Sequence, residues 1–143
     1  MRTKDAGCSG CHYEQTGKSY VPGSGNPQAK VIILQDNPTR AEAYSGEPLS
    51  HASGQRFDLW LAKANLPHSK LWLDCGMRCW YTQRGRDVAP RRALEECRER
   101  HILPMLYALE PEWLVCMGVG VSKLYIGPWC GTRAAGSVVE VEL

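Results

Sequence analysis

The sequence predicts a single α/β domain, a three-layer α/β/α arrangement around a mainly parallel sheet. KVIILQ at 30–35 is β-branched and uninterrupted, as a buried strand of a parallel sheet is, and LWLDC at 71–75 and WLVCMG at 113–118 are the second and third strand candidates. Helical patterns lie between them, and strands that alternate with helices form layered α/β sheets. The 143 residues suffice for one core but not for two, so residues 1–143 are taken as one domain. A hydrophobic content of 43% with 22% charged residues is that of a globular chain. No apolar run reaches the roughly 20 residues that span a bilayer. The opening MRTKDAGCSGC lacks the apolar stretch of a secretory leader. An intracellular protein without a membrane span is expected.

Residues 1–29 read as loop with one short helix, punctuated by VPGSGNP. KVIILQ is the first strand, and NPTRAEAYSGEPLSHASG the loop after it. GQRFDLWLAKANL then carries a helical apolar stripe of Phe57, Leu59, Trp60, Leu61 and Ala64, with Ser53 as its cap. LWLDC is the second strand. The arginine-rich stretch beyond it shows no clear element before Ala89. DVAPRRALEECRERHILPMLYALEP begins a helix with Asp87 ahead of it and Pro90 near its first turn, and Pro104 is expected to kink or split it. WLVCMG is the third strand, VSKLYIG a short helix, and SVVEVEL an edge strand or hairpin arm.

Ligands of such sheets bind beyond the carboxyl ends of the strands, where Asp36, Asp74, Cys75 and Gly118 fall. An Asp before Asn-Pro is ordinarily a turn residue, so Asp36 has two readings, cap or cleft carboxylate. The net charge of +2 is small, but Arg84, Arg86, Arg91, Arg92, Arg98 and Arg100 concentrate positive potential on one segment. Against an anion-facing role stands a solvated helix face balanced by Glu95, Glu96 and Glu99.

Seven cysteines, an odd number, point to metal or redox chemistry rather than to a disulfide framework. Cys8-x-x-Cys11 is a two-ligand clip, and Cys79 and Cys97 are the next candidates, with Cys75 competing for the place of Cys79. Four thiolates fit tetrahedral zinc or an iron–sulfur cluster, and the wide spacing of the second pair favours the cluster over zinc. Cys116, inside an apolar run, reads as core, and Cys130 has no partner at motif spacing.

The order of these features resembles the iron–sulfur uracil-DNA glycosylases of family four. CSGC followed by VPGSGNPQAKVIIL is similar to the opening of that family. QDNPT and GEPLSHASG stand where it has a Gly-Glu-Ala-Pro-Gly loop and a GRPFVGxxG segment. CGMRC, DVAPRRALEEC and PEWLVCMG follow in the family's order, so the resemblance spans about residues 8–127. It implies a uracil-DNA glycosylase-like fold and a [4Fe-4S] cluster on Cys8, Cys11, Cys79 and Cys97, in segments 8–11 and 79–97, leaving Cys75 out. It also implies DNA as partner, with Arg84 and Arg86 as DNA-binding residues, and hydrolysis of the bond between uracil and deoxyribose.

Asp36 then corresponds to the catalytic loop carboxylate, and Gln35, Asn37, Leu49 and Cys75 to the substrate-binding positions. Leu49 stands for a stacking Phe, Cys75 for the Asn that reads the uracil edge, and Gln35 for a Gly. No His-Pro-Ser-like segment follows the third strand within these 143 residues, and His51, His68 and His101 do not take its place. The expectation is a glycosylase-like, DNA-binding protein with weak or lost base excision, the last part of the usual fold missing or replaced. The alternatives are a working uracil-DNA glycosylase and a protein-interaction subunit, the latter through tryptophan-bearing loops at Trp80 and Trp129.

Overall fold

The computed structural model describes residues 6–15, 18–131 and 134–141. Its main sheet has four strands in the order β2-β4-β3-β8, formed by β2 (Ser24–Gly25), β3 (Val31–Gln35), β4 (Leu71–Cys75) and β8 (Trp113–Met117). The strands β3, β4 and β8 run parallel, and β2 pairs antiparallel at one edge. The three apolar runs are therefore the three parallel strands. Two small antiparallel pairs complete the strand set: β1 (Lys18–Tyr20) with β5 (Cys79–Trp80), and β6 (Thr82–Gln83) with β7 (Arg86–Asp87).

Alternation along β3 sends Ile32 and Leu34 to one face and Ile33 to the other. The first face packs on α3 (Arg91–Cys97), α4 (Leu103–Leu109) and α5 (Val119–Tyr125) through Ala93, Leu94, Leu106 and Val121. On the second, Ile33, Leu71 and Leu73 meet Phe57 and Leu61 of α2 (His51–Lys63). Helices on both faces of a mostly parallel sheet give the expected three layers. Phe57 is 4% exposed, so Phe57→Ala removes a filled core position at a cost of about 3–5 kcal/mol. Among the described residues no helix is long and apolar enough to cross a membrane.

Several local expectations are corrected. The helix expected from Gly54 begins at His51, with Ser50 rather than Ser53 at its cap position. The loop after β3 contains a helix, α1 (Arg40–Ser45), started by a capping box. Thr39 accepts from the Glu42 backbone N–H, and Glu42 accepts from that of Thr39. Residues 1–29 hold strands β1 and β2, and the arginine-rich stretch holds β5, β6 and β7. Pro104 does not split the long helix. The turn before it widens into a π-helical segment, Arg98–Ile102, in which the Leu103 N–H bonds back to the Arg98 carbonyl, and the helix runs on as α4. Residues 137–141 form no strand, and 142–143 lie outside the described residues.

Candidate functional site

Two neighbouring regions beyond the carboxyl ends of β3 and β4 collect the chemically active side chains. In the first, Cys8, Cys11, Cys79 and Cys97 line one cavity, together with Met77, Arg100 and His101. Specific contacts bring these distant segments together. The Cys11 N–H bonds to the Cys8 carbonyl at 3.0 Å and closes the clip. One Nη of Arg100 donates to the carbonyls of Gly7 (3.1 Å) and Ser9 (2.8 Å), and the His12 N–H donates to Glu96 Oε2 at 2.8 Å. The clip is thus fastened to the helix that carries Cys97. Cys79 opens β5, directly after the turn that leaves β4.

Beneath this cavity lies an ion pair that the sequence did not announce. The Arg78 guanidinium grips Asp74 through Nε (2.9 Å) and Nη2 (2.6 Å), and donates from Nη1 to the Tyr20 hydroxyl at 2.9 Å. The side chains are 11% and 0% exposed. Trp72 Nε1 and the Cys75 N–H also donate to Asp74, so this buried carboxylate is well satisfied. Burial works against the charge on Arg78, but the adjacent Asp74 more than offsets it and holds the guanidinium protonated.

Four thiols are a donor set that a metal centre can use. Burial pushes the Cys11 and Cys97 thiols up, while backbone N–H groups of Tyr13 and Arg78, pointing at their sulfurs, draw them back. Sulfurs that face N–H donors are readily held as thiolates once a cation supplies the missing charge. Among the described residues, no three His, Cys, Asp or Glu side chains converge closely enough to hold a single metal ion. The thiols of Cys8, Cys11, Cys79 and Cys97 face this one cavity. Cys75 belongs elsewhere, fully buried at the end of β4.

The second region surrounds Asp36. Its carboxylate accepts from the backbone N–H of Gly120 (3.2 Å) and of Val121 (2.8 Å), in the first turn of α5. A Cβ on Gly118 would lie 2.3 Å from Asp36 Oδ1 and one on Gly120 3.0 Å away, so both glycines make room for this carboxylate. Asp36 thus caps the first turn of α5, half-buried and fixed by that helix.

The substrate-binding candidates are placed as follows. Gln35 and Cys75 are register partners on β3 and β4, and Gln35 Nε2 lies 3.2 Å from both Cys75 Sγ and Glu42 Oε2. Glu42 is fully buried, an acidic group that sequence reasoning missed although its capping box was legible. Leu49 is 8% exposed and packs with Ile33 and Phe57. Asn37 is half-buried and turns its amide to the Pro38 carbonyl.

Arg84 and Arg86 stand on the β6–β7 hairpin, exposed, on either side of Gly85. Arg84 and Gly85 have φ of 52° and 74°, the two left-handed residues of a tight hairpin turn. The other arginines of the run are engaged: Arg91 with Glu95, Arg92 with Glu96, Arg98 with Glu99 and Arg100 with the clip. Cys116 is half-buried against the core rather than within it, and Cys130 is 2% exposed. Of the two tryptophans expected in loops, Trp80 lies in β5 and bonds to Asp87, and Trp129 is 64% exposed.

Comparison with known proteins identifies the family. A family model described as "Uracil DNA glycosylase superfamily" matches residues 22–140. The type-4 uracil-DNA glycosylase of Archaeoglobus fulgidus is 30% identical over 140 residues, covering 94% of this chain and 69% of that protein.

Proposed function

This chain belongs to the uracil DNA glycosylase superfamily, and from that premise we propose that it binds DNA, holds a [4Fe-4S] cluster, and excises uracil weakly or not at all. The observation that carries the reading is a division within the site. The carboxylate at the strand end is kept and rigidly held, while position 75, which the family resemblance makes the reader of the base edge, is a thiol sealed from solvent.

The chemistry follows from the groups present. Uracil must leave the base stack before its glycosidic bond can be reached, which costs a few kcal/mol. Asp36 offers about four lone-pair positions, of which two accept backbone N–H groups. The remaining ones can orient a water, and the carboxylate charge stabilises the oxocarbenium character that develops on the sugar. The departing uracil gathers negative charge and requires a donor. A thiol is a poor one and cannot present the paired donor and acceptor of an amide. Loss of one such donor lowers rates by about 10²–10³. Leu49 adds apolar surface but no π face for stacking.

Cys8, Cys11, Cys79 and Cys97 would hold the cluster. Bound there, the cluster supplies a covalent brace between the N-terminal clip, β5 and α3. Within the arginine-rich run, Arg84 and Arg86 are the exposed cations that would meet phosphates.

A uracil-containing oligonucleotide, cleaved with alkali after incubation, tests the reading. Under single-turnover conditions, excision at least about 10²-fold slower than that of the Archaeoglobus fulgidus relative is expected. Equal rates would overturn the weak-excision assignment. DNA affinity that does not fall with salt would remove DNA as partner and favour protein docking, for which Trp60, Trp113 and Trp129 are exposed.

A further inference from the structure

Beside its four thiols, the cavity is lined by a histidine that reaches one of them. Nε2 of His101 lies 3.4 Å from Cys8 Sγ, a hydrogen-bond distance for sulfur, and the two residues are 7% and 5% exposed. Resting on the cluster reading above, we propose that His101 is a positioning residue for that cluster. Its Nε2–H donates a hydrogen bond to the Cys8 sulfur and raises the reduction potential of the cluster.

The direction of the bond follows from chemistry. A thiolate bound to iron carries no proton and can only accept, so Nε2 must carry the hydrogen. The ring is confined from the other side by Tyr20, whose centroid lies 5.8 Å away at 55°, and the Tyr20 hydroxyl is itself held by Arg78. The backbone supports the same placement. His101 sits in the π-helical segment, four residues after Cys97, and both line the cavity. Its neighbour Arg100 ties the Cys8 clip to that segment. Five consecutive residues, 97–101, thereby contribute a thiol, a backbone anchor and an imidazole donor. Hydrogen bonds to cluster sulfurs stabilise the more negative, reduced state and so set the potential.

The test uses the full chain, purified anaerobically. Iron and sulfide are measured first. A wild-type protein lacking both would sink the cluster reading, and this inference with it, before any variant is compared. With the cluster present, the potential is measured with redox mediators and electron paramagnetic resonance. His101→Leu is expected to lower the equilibrium constant for reduction about tenfold, or about 59 mV for one electron. His101→Gln, which keeps an N–H donor, should stay within about threefold of wild type. A His101→Leu protein with full iron content and the wild-type potential would overturn the proposal. If that variant binds no iron, resonance Raman spectra of wild type and His101→Gln decide. Terminal Fe–S bands whose D2O shift differs between wild type and His101→Gln support the bond, and identical shifts, as the Tyr13 and Arg78 N–H groups alone would give, refute it.

Discussion

Replacing Arg78 by Met removes the cation while retaining an unbranched, apolar side chain. Asp74 then keeps a fully buried carboxylate with only two neutral donors, Trp72 Nε1 and the Cys75 N–H. It loses both charge-assisted bonds, at 2.9 and 2.6 Å, and Tyr20 loses its donor at 2.9 Å. Breaking a buried pair from one side typically costs about 3–5 kcal/mol, because the remaining charge is left uncompensated. Against a domain stability of about 5–15 kcal/mol, this is a large share. Urea unfolding followed by far-UV circular dichroism, at matched iron content, measures it. With a slope of about 2 kcal/mol/M, the midpoint of Arg78→Met should fall by roughly 1.5–2.5 M. Adding Asp74→Leu to that variant should recover at least about 1 kcal/mol, since the orphaned charge is then gone. A loss under about 0.5 kcal/mol in the single variant, the size of an ordinary surface change, would refute the assignment of a buried pair.

Other consequences are open to direct measurement. Cys75→Asn restores an amide at the base-edge position and should raise single-turnover uracil excision by about 10²-fold, read on the same oligonucleotide. Arg84→Ala with Arg86→Ala should reduce the slope of log affinity against log salt by about 2, the equivalent of two phosphate contacts. Burial, with Asp36 and Cys130 nearby, pushes the Cys116 thiol up from 9.0 to about 12. A folded-state pKa raised above the unfolded one gives stability that is complete below pH 9 and lost as pH rises toward about 12. Cys116→Ala should therefore flatten the alkaline fall in unfolding free energy over that window, and an unchanged fall would contradict it.

What could be read in the sequence was whatever depends on local pattern. Strands β3 and β4 are legible because burial leaves a continuous apolar run; β8 is as apolar in sequence but lies at the sheet edge with Trp113 and Val115 exposed, and all three register in parallel. The capping box at Thr39 and Glu42 was present in the sequence, but a six-residue helix between turn residues does not display a period. Pro104 was marked to kink or split the helix, and a π-helical turn absorbs it one step earlier in the chain. The Asp74–Arg78 pair escaped notice since two charges at i and i+4 usually decorate a surface, and only the packing of Tyr20, Trp72 and Gly23 around them buries the pair. His101 was likewise invisible, since its partner is 93 residues away and depends on how the N-terminal clip docks. That Asp36 caps a helix 85 residues further along the chain needed the position of α5 relative to β3.

The central claim is that a glycosylase scaffold here retains its fixed carboxylate but not its base-reading amide. Single-turnover excision of uracil from an oligonucleotide, measured beside the Archaeoglobus fulgidus relative for wild type and Asp36→Ala, tests it most directly. The account predicts a wild-type rate at least about 10²-fold below the relative, with any residual activity lost in Asp36→Ala. A wild-type rate equal to that of the relative, or residual excision untouched by Asp36→Ala, would contradict it.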